Sequence, residues 1–271
     1  MENKTLRDIW NRRAEVHAAR KGCRAEDAMS KLYDESWWGH IWPLLAYITG
    51  GRILEAGCGT GRWAERLASM GFSVVLSDIS PNMLTKAREY AEEHGFVDNL
   101  RFEEVDVCDL SVFESGTFDM VISTGEPITM CSDPKKAISE YCRVVRPGGY
   151  VLCDAGNRYR KAFELFREKR GNQILNMLAT GEYEGKEGLR HHLLGPCELR
   201  AAFEEQGMEC CTLAGITPML GFPPDAEQKA ALEDKATSQA MVAIAQDYAE
   251  CPEIVNLSSR LLAVARKPEG S

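Results

Sequence analysis

Leu54-Glu55-Ala56-Gly57-Cys58-Gly59-Thr60-Gly61 is the stretch on which the fold turns. It closes a short apolar run, Arg52-Ile53-Leu54-Glu55-Ala56, with a turn dense in glycine. Such a run, bounded by a breaker, reads as a buried parallel strand. Trp63, Leu67 and Met70 follow at helical spacing. The turn therefore joins a strand to a helix at the carboxyl end of the first strand, where doubly wound sheets bind ligands. Glycines there let the backbone approach a ligand closely and adopt angles that a side chain forbids.

Downstream, the alternation repeats. Ser73-Val74-Val75-Leu76-Ser77 is a second strand. Ser80-Pro81 opens a helix, since serine caps free N–H groups and proline suits the first helical position. Met83, Ala87 and Tyr90 give that helix an apolar stripe. Leu100 to Val105 and Phe118 to Ser123 read as further strands. Asp133-Pro134 repeats the cap, and Arg146-Pro147-Gly148-Gly149 stops the helix before a strand at Tyr150 to Cys153. Strand and helix alternating over short connections predict a parallel sheet with helices on both faces. Residues 5–48 read as helical and rich in aromatics. After Asp154 the alternation breaks. One helix is expected over 158–180, another over Glu198 to Gln206 and a strand over Met208 to Ala214. A loop at Gly221-Phe222-Pro223-Pro224, a long helix near 225–249 and a last strand from Arg260 to Arg266 complete the chain.

The loop is not a dinucleotide fingerprint. Gly-x-Gly-x-x-Gly would place its third glycine where Arg62 stands, so a nicotinamide-dependent enzyme is disfavoured. Asp78 ends the second strand, 21 positions after Gly57, and a carboxylate there accepts hydrogen bonds from ribose hydroxyls. Hydroxyl recognition without a pyrophosphate site points to a nucleoside-type ligand.

On these residues the chain resembles the class I S-adenosylmethionine-dependent methyltransferases, of the small-molecule branch that includes ubiquinone/menaquinone-type enzymes. Glu55 to Gly61 matches the first motif, Asp78 the ribose-binding acid and Asp106-Val107 the pair flanking the adenine. Phe118 to Ser123 matches the fourth-strand motif, and Arg146-Pro147-Gly148-Gly149 the turn before the fifth. The glycine loop alone is weak; five motifs in order, over roughly residues 50–155, are specific. The resemblance implies a doubly wound, Rossmann-like α/β sheet, mostly parallel with an antiparallel last strand. A helical N-terminal lid (1–49), a cofactor-binding core (50–157) and helical cap insertions carrying the last strands (158–271) are expected.

The implied cofactor is S-adenosylmethionine, with S-adenosylhomocysteine as product and no metal. The residues implied to bind it are Glu55, Gly57, Cys58, Gly59, Gly61, Asp78, Ile79, Met83, Asp106, Val107, Ser123 and Thr124. Each has a plainer reading as well: turn glycines, a strand-end charge, a helix-start acid, a core methionine. The methyl of a sulfonium is already activated, so the protein mainly aligns a nucleophile and excludes water. A strong base is needed only for acceptors protonated at neutral pH. The catalytic candidates are accordingly positional: Asp154 and Tyr159 after the fifth strand, and His192, with His191, before the helix at 198. Asn157 and Glu126-Pro127 are candidates for the pocket rim. Tyr33, Trp37, Trp38, His40 and Trp42 either place aromatic faces near the sulfonium or pack as a helix pair.

Composition narrows the partners. The net charge of −9 opposes phosphate backbones, and the dense basic stretch Arg158-Tyr159-Arg160-Lys161 is short, so nucleic acid is disfavoured. A small-molecule acceptor is expected. RNA or protein methylation and donor binding without turnover are the alternatives; a thiophile such as arsenite is a weaker variant suggested only by the cysteines. Those number ten, with no Cys-x-x-Cys and no zinc spacing. Several sit in apolar runs, as thiols do in a reducing cytosol. No stretch approaches membrane-spanning length and Met1 to Arg20 has no apolar signal core, so a cytoplasmic protein is expected.

Overall fold

Two helices, α1 (Glu2–Lys21) and α2 (Ala28–Leu45), lead into the alternating region. There β1 (Arg52–Ala56), α3 (Ala64–Ser69), β2 (Ser73–Asp78), α4 (Pro81–Glu93), β3 (Leu100–Glu104) and β4 (Phe118–Ser123) follow in turn. A one-turn helix α5 (Pro127–Met130), then α6 (Pro134–Val144), connect to β5 (Val145–Gly156). The structure is a computed structural model that describes residues 2–21, 28–48, 50–185, 188–218 and 226–270.

Beyond β5 come α7 (Arg158–Arg167), α8 (Gly171–Thr180), and a hairpin of β6 (Glu182–Glu184) with β7 (Arg190–His192). The chain then runs through α9 (Pro196–Glu204), β8 (Glu209–Pro218), α10 (Ala226–Glu233), α11 (Lys235–Asp247), α12 (Pro252–Leu257) and β9 (Ser258–Arg266). Seven strands form one sheet in the order β3-β2-β1-β4-β5-β9-β8. β3, β2, β1, β4 and β5 pair in parallel, and β9 runs antiparallel to both its neighbours. The last strand of the chain is thus the antiparallel one. Strand order reverses at β1, between β2 and β4, which opens a crevice at the carboxyl ends of those strands.

The period of two along each strand sorts the core into two layers. Leu54, Val121, Val151 and Ala263 face one layer with Ile138 and Tyr141 of α6 and Phe203 of α9. Ile53, Val74, Leu76, Ile122 and Leu152 face the other, against Trp37 and Ile41 of α2, Leu67 of α3 and Ala87 of α4. Both expected caps form. Ser80 Oγ accepts from Met83 N–H at 3.2 Å, and Asp133 Oδ1 from Lys135 N–H at 3.0 Å and Lys136 N–H at 3.1 Å.

Several expectations need correction. The stretch read as one helix over 158–180 is two, because Lys169 adopts a left-handed φ of 58° that ends α7. The helix expected near 225–249 is also two, α11 restarting at Asp234, whose side chain caps Thr237 N–H at 2.8 Å. β5 begins at Val145: pairing with β4 steps from Phe118↔Val145 to Met120↔Tyr150, so the Pro-Gly-Gly segment is an irregularity within the strand. Met70 is exposed and does not extend the α3 stripe. The β6–β7 hairpin, α5 and α12 had no clear sequence signal. The loop at 221–224 and Cys23 lie outside the described residues. Among those residues, no helix is long and apolar enough to cross a membrane.

Candidate active site

The crevice at the strand-order reversal holds a cavity of about 470 Å³. Its floor is the glycine turn. Gly57 and Gly59 have φ of 69° and 55°, where a side chain would be strained. A Cβ on Gly57 would stand 2.6 Å from Pro127 Cγ, and one on Gly59 would stand 3.0 Å from His17 Cε1. The glycines hold the backbone low enough to leave a cradle.

Two carboxylates flank that cradle. Asp78, 8% exposed, accepts Gly59 N–H at 2.8 Å on Oδ2 and Ser80 N–H at 2.9 Å on Oδ1, tying the loop to the end of β2. Burial pushes its pKa up to about 6 against the pull of those N–H groups. Glu55, 2% exposed, accepts Trp63 N–H at 3.4 Å on Oε1, while its buried Oε2 has no hydrogen-bond partner. Burial pushes Glu55 up to about 8. Buried polar atoms are almost always satisfied, so this carboxyl oxygen in a cavity wall is left open to a ligand group.

Helix α1 forms the near wall. His17 Nδ1 lies 3.3 Å from Thr60 Oγ1 on the glycine loop. Asn11 Oδ1 accepts from Ser80 Oγ at 2.7 Å and Asn82 N–H at 3.4 Å, and Asn82 Nδ2 donates to the Asn11 carbonyl at 3.2 Å. Leu6, Trp10 and His17 thereby face the cavity.

At the other end, Tyr33 and Trp37 of α2 line the cavity beside Arg260 of β9. The Arg260 guanidinium lies 5.1 Å from the Tyr33 ring centroid and 5.3 Å from that of Trp37, and pairs with Glu126 at 3.1 Å. Asp154, fully buried, accepts from Trp37 Nε1 at 3.1 Å, Gly125 N–H at 3.1 Å and Glu126 N–H at 2.7 Å. Those bonds hold Gly125 and Glu126 in successive left-handed conformations, φ 90° and 70°. Non-glycine residues held in this region cluster at functional sites. Burial raises Asp154 to about 6, opposed by Arg260.

Ten of the expected cofactor-binding residues line this cavity: Glu55, Gly57, Cys58, Gly59, Asp78, Ile79, Met83, Asp106, Val107 and Thr124. Two do not. Gly61 turns inward against Leu76, Ala64 and Ala87. Ser123 is buried and hydrogen-bonded to the Tyr141 hydroxyl at 3.0 Å, on the α6 side of the sheet. Thr124, next in sequence, accepts from Trp63 Nε1 at 2.9 Å and does face the cavity.

The catalytic candidates fare differently. Asp154 stands behind the cavity wall, its carboxylate occupied by three N–H groups. Tyr159 is half exposed on α7, with its ring beside Gly195. His192 sits in β7, paired across the hairpin with Glu182. None of the three lines the cavity. Of the N-terminal group, Tyr33 and Trp37 reach it, Trp38 stacks on Trp63 at 5.7 Å, and Trp42 is 56% exposed. His40 is partly buried, with a buried, unpartnered Nε2 and a pKa lowered to about 4 by desolvation. Sequence reasoning did not single out Leu6, Trp10, His17, Met130, Cys131, Lys229 or Arg260, which also line the cavity. For Arg260 a signal existed: a charge immediately before the apolar run Leu261 to Ala265, on the same strand, needs a partner if it is buried.

Comparison with known proteins agrees with this geometry. Residues 53–149 match a family model described as a methyltransferase domain. A ubiquinone biosynthesis O-methyltransferase of Thiobacillus denitrificans is 30% identical over 172 residues, which are 64% of this chain and 70% of that one. The enzyme of the same name from Pseudomonas syringae pv. tomato is 30% identical over 210 residues, 72% of this chain and 87% of that one. A solved SAM-dependent methyltransferase of Methanosarcina mazei superposes with a TM-score of 0.62 at 18% identity, over 85% of this chain and 97% of the other. The glycine cradle, the acid ending β2, the seven-stranded sheet and the relatives converge: the chain belongs to the class I S-adenosylmethionine-dependent methyltransferases.

Proposed function

We propose that the cavity binds S-adenosylmethionine across the β1 and β2 ends and presents its methyl group to a small-molecule acceptor beside Thr124 and Gly125. The observation that carries this is the orphaned Glu55 Oε2, buried in a cavity that Asp78 and the glycine cradle also line. In this reading Asp78 accepts from the ribose hydroxyls, Glu55 faces the ammonium of the amino acid end, and Asp106 and Val107 flank the adenine with Ile79 and Met83.

The donor supplies a methyl group already activated by its sulfonium charge. The remaining work falls to this chain. Trp37 and Tyr33 bound the acceptor end of the cavity, and α1 acts as the lid that excludes water. Asp154 is a positioning residue: it fixes the Gly125-Glu126 turn and the Trp37 indole, and so the line along which an acceptor atom approaches. Tyr159 and His192 have no part in this reading. The relatives' names support a small-molecule acceptor, and the acidic surface agrees with it. A structure with S-adenosylhomocysteine tests the placement. The reading requires ribose oxygens within hydrogen-bond reach of Asp78 and the sulfur turned toward Thr124; a ligand elsewhere, or one reversed in the cavity, removes it.

A further inference from the structure

The end of the cavity away from the glycine cradle holds a fixed positive charge that the donor does not explain. Arg260, 7% exposed, reaches the cavity wall from β9. Its guanidinium is held on several sides. Nε lies 3.1 Å from Glu126 Oε2, and the Tyr33 and Trp37 rings stand against the guanidinium carbon at 5.1 and 5.3 Å. Asp154 fixes Glu126 in turn, accepting its N–H at 2.7 Å. Gly156 stands opposite Arg260 in the β5–β9 ladder, and a Cβ there would lie 2.8 Å from Glu126 Oε1. The glycine therefore makes room for the carboxylate that holds the arginine. Glu126 and Asp154 stand outside the cavity lining, whereas Arg260 is part of it. A second cation, Lys229 of α10, lines the same cavity, is exposed and has no acidic partner among the described residues. The third base of the lining, Arg62, is paired with Asp34. We propose that this end of the cavity takes an acid group of the acceptor: the substrate is a small carboxylate, gripped by Arg260 with Lys229 as the second cation.

A guanidinium offers N–H donors in a rigid fork that matches the two oxygens of a carboxylate. Fixing the fork beforehand lowers the ordering cost of binding. Keeping that charge in a pocket wall costs desolvation, and a neutral acceptor gains nothing from it. Position separates this charge from the donor's own carboxylate. The amino acid end of the donor is placed at Glu55 of β1, and β9 lies three strands away in the sheet, about 14 Å at the usual strand spacing. The donor fills one end and the acid group of the acceptor the other, so the proposal rests on that donor placement. The net charge of −9 gives an anion no general attraction to this protein. A preference for an anionic acceptor must therefore come from these two side chains. The carboxylate is a handle: N–H donors occupy its oxygens, and another group of the same molecule takes the methyl.

The test uses the full-length protein saturated with S-adenosylhomocysteine. Benzoate, phenylacetate and 3-phenylpropanoate are titrated by calorimetry, each beside its neutral amide. At least one carboxylate is expected to bind about tenfold or more tighter than its amide. Lys229→Ala, at an exposed helix position, should weaken that carboxylate about fivefold and leave its amide unchanged. Arg260→Lys should weaken it about tenfold or more, because the fork is lost while the charge stays. Affinity for S-adenosylhomocysteine should stay within about twofold of wild type in both variants. No carboxylate preferred over its amide by the wild-type complex overturns the proposal, as does a preference intact in a folded Arg260→Lys protein. Should Arg260→Lys fail to fold, an intact preference in Lys229→Ala overturns it. Weaker S-adenosylhomocysteine binding in Arg260→Lys, with the melting temperature retained, assigns the guanidinium to the donor's carboxylate and overturns it too. A wild-type protein that binds no S-adenosylhomocysteine removes the donor placement instead, and the carboxylate preference of the free protein then decides the acid site on its own.

Discussion

Glu55 concentrates the physics of the site in one side chain. Its pKa of about 8 means that the free protein holds a neutral carboxyl there at pH 7. A donor ammonium would need the charged form, so binding must release a proton below pH 8. Affinity for S-adenosylhomocysteine should then rise with pH between 6 and 8, by up to about tenfold per unit. Calorimetry in buffers of different ionisation enthalpy should show net proton release, and Glu55→Gln should abolish the dependence. A pH-independent affinity in the wild-type protein would disconnect Glu55 from the ligand. Stability of the free protein carries the opposite slope. Glu55, Asp78 and Asp154 all have raised folded-state pKa values, so the folded state holds more protons than the unfolded one in the interval between. Their contributions are full below the usual carboxylate range and are lost as pH climbs through about 6 for the two aspartates and about 8 for Glu55. Asp154→Ala should be costly in another way. It strands the Trp37 indole and two backbone N–H groups and takes a counter-charge from Arg260. A loss near 3 kcal/mol by denaturant titration is expected, and a loss under about 1 kcal/mol would show that the turn holds itself. At this scale the glycine cradle of the cavity was legible, because backbone chemistry fixes which residue types can stand at Gly57, Gly59 and Asp78. The end beside Arg260 was not. Arg260, Glu126 and Asp154 meet only through the pairing of β5 with β4 on one side and β9 on the other, and single-sequence spacing does not encode those contacts.

Among the elements, α1 distinguishes the site from a bare sheet edge. It is polar along much of its length, and Ile9 and Ala14 are among its buried apolar residues. Its hold on the core includes Asn11 bridging to Ser80 and Asn82, His17 meeting Thr60, and exposed pairs such as Arg7 with Glu104. Such exposed pairs contribute little, so the Asn11 bridge should govern opening. Asn11→Ala should speed ligand exchange by about fivefold, roughly the worth of one hydrogen bond. Stopped-flow fluorescence of Trp10, which lines the cavity, would follow it, with the melting temperature as control. An unchanged exchange rate would mean that α1 is no lid. The N-terminal helices were foreseen from aromatic content, but which face meets the cavity was not, since α1 has almost no apolar periodicity to orient it. The cap was legible as irregular and no further. Its break at Lys169 depends on a left-handed residue that sequence does not announce, and its β6–β7 hairpin is three residues per strand.

Across the whole molecule, a net charge of −9 surrounds a cavity lined by three acids, Glu55, Asp78 and Asp106, and by three bases, Arg62, Lys229 and Arg260. The acidic net charge disfavours phosphate-rich partners. The alternating strands and helices, with their caps at Ser80 and Asp133, made the parallel part of the sheet readable, because each βα unit is specified locally. The antiparallel last strand came from the family resemblance, and the insertion of β9 between β5 and β8 was not foreseen, since no local rule fixes it. The central claim is that the cradle at Gly57 and Gly59, with Asp78 beside it, grips the sugar of an adenosyl sulfonium compound. Calorimetry of S-adenosylhomocysteine with the wild-type protein and with Asp78→Ala tests it most directly. The account predicts one-to-one binding weakened about tenfold or more by the substitution. No binding to the wild-type protein at millimolar ligand, or equal affinity in the two proteins, would contradict it.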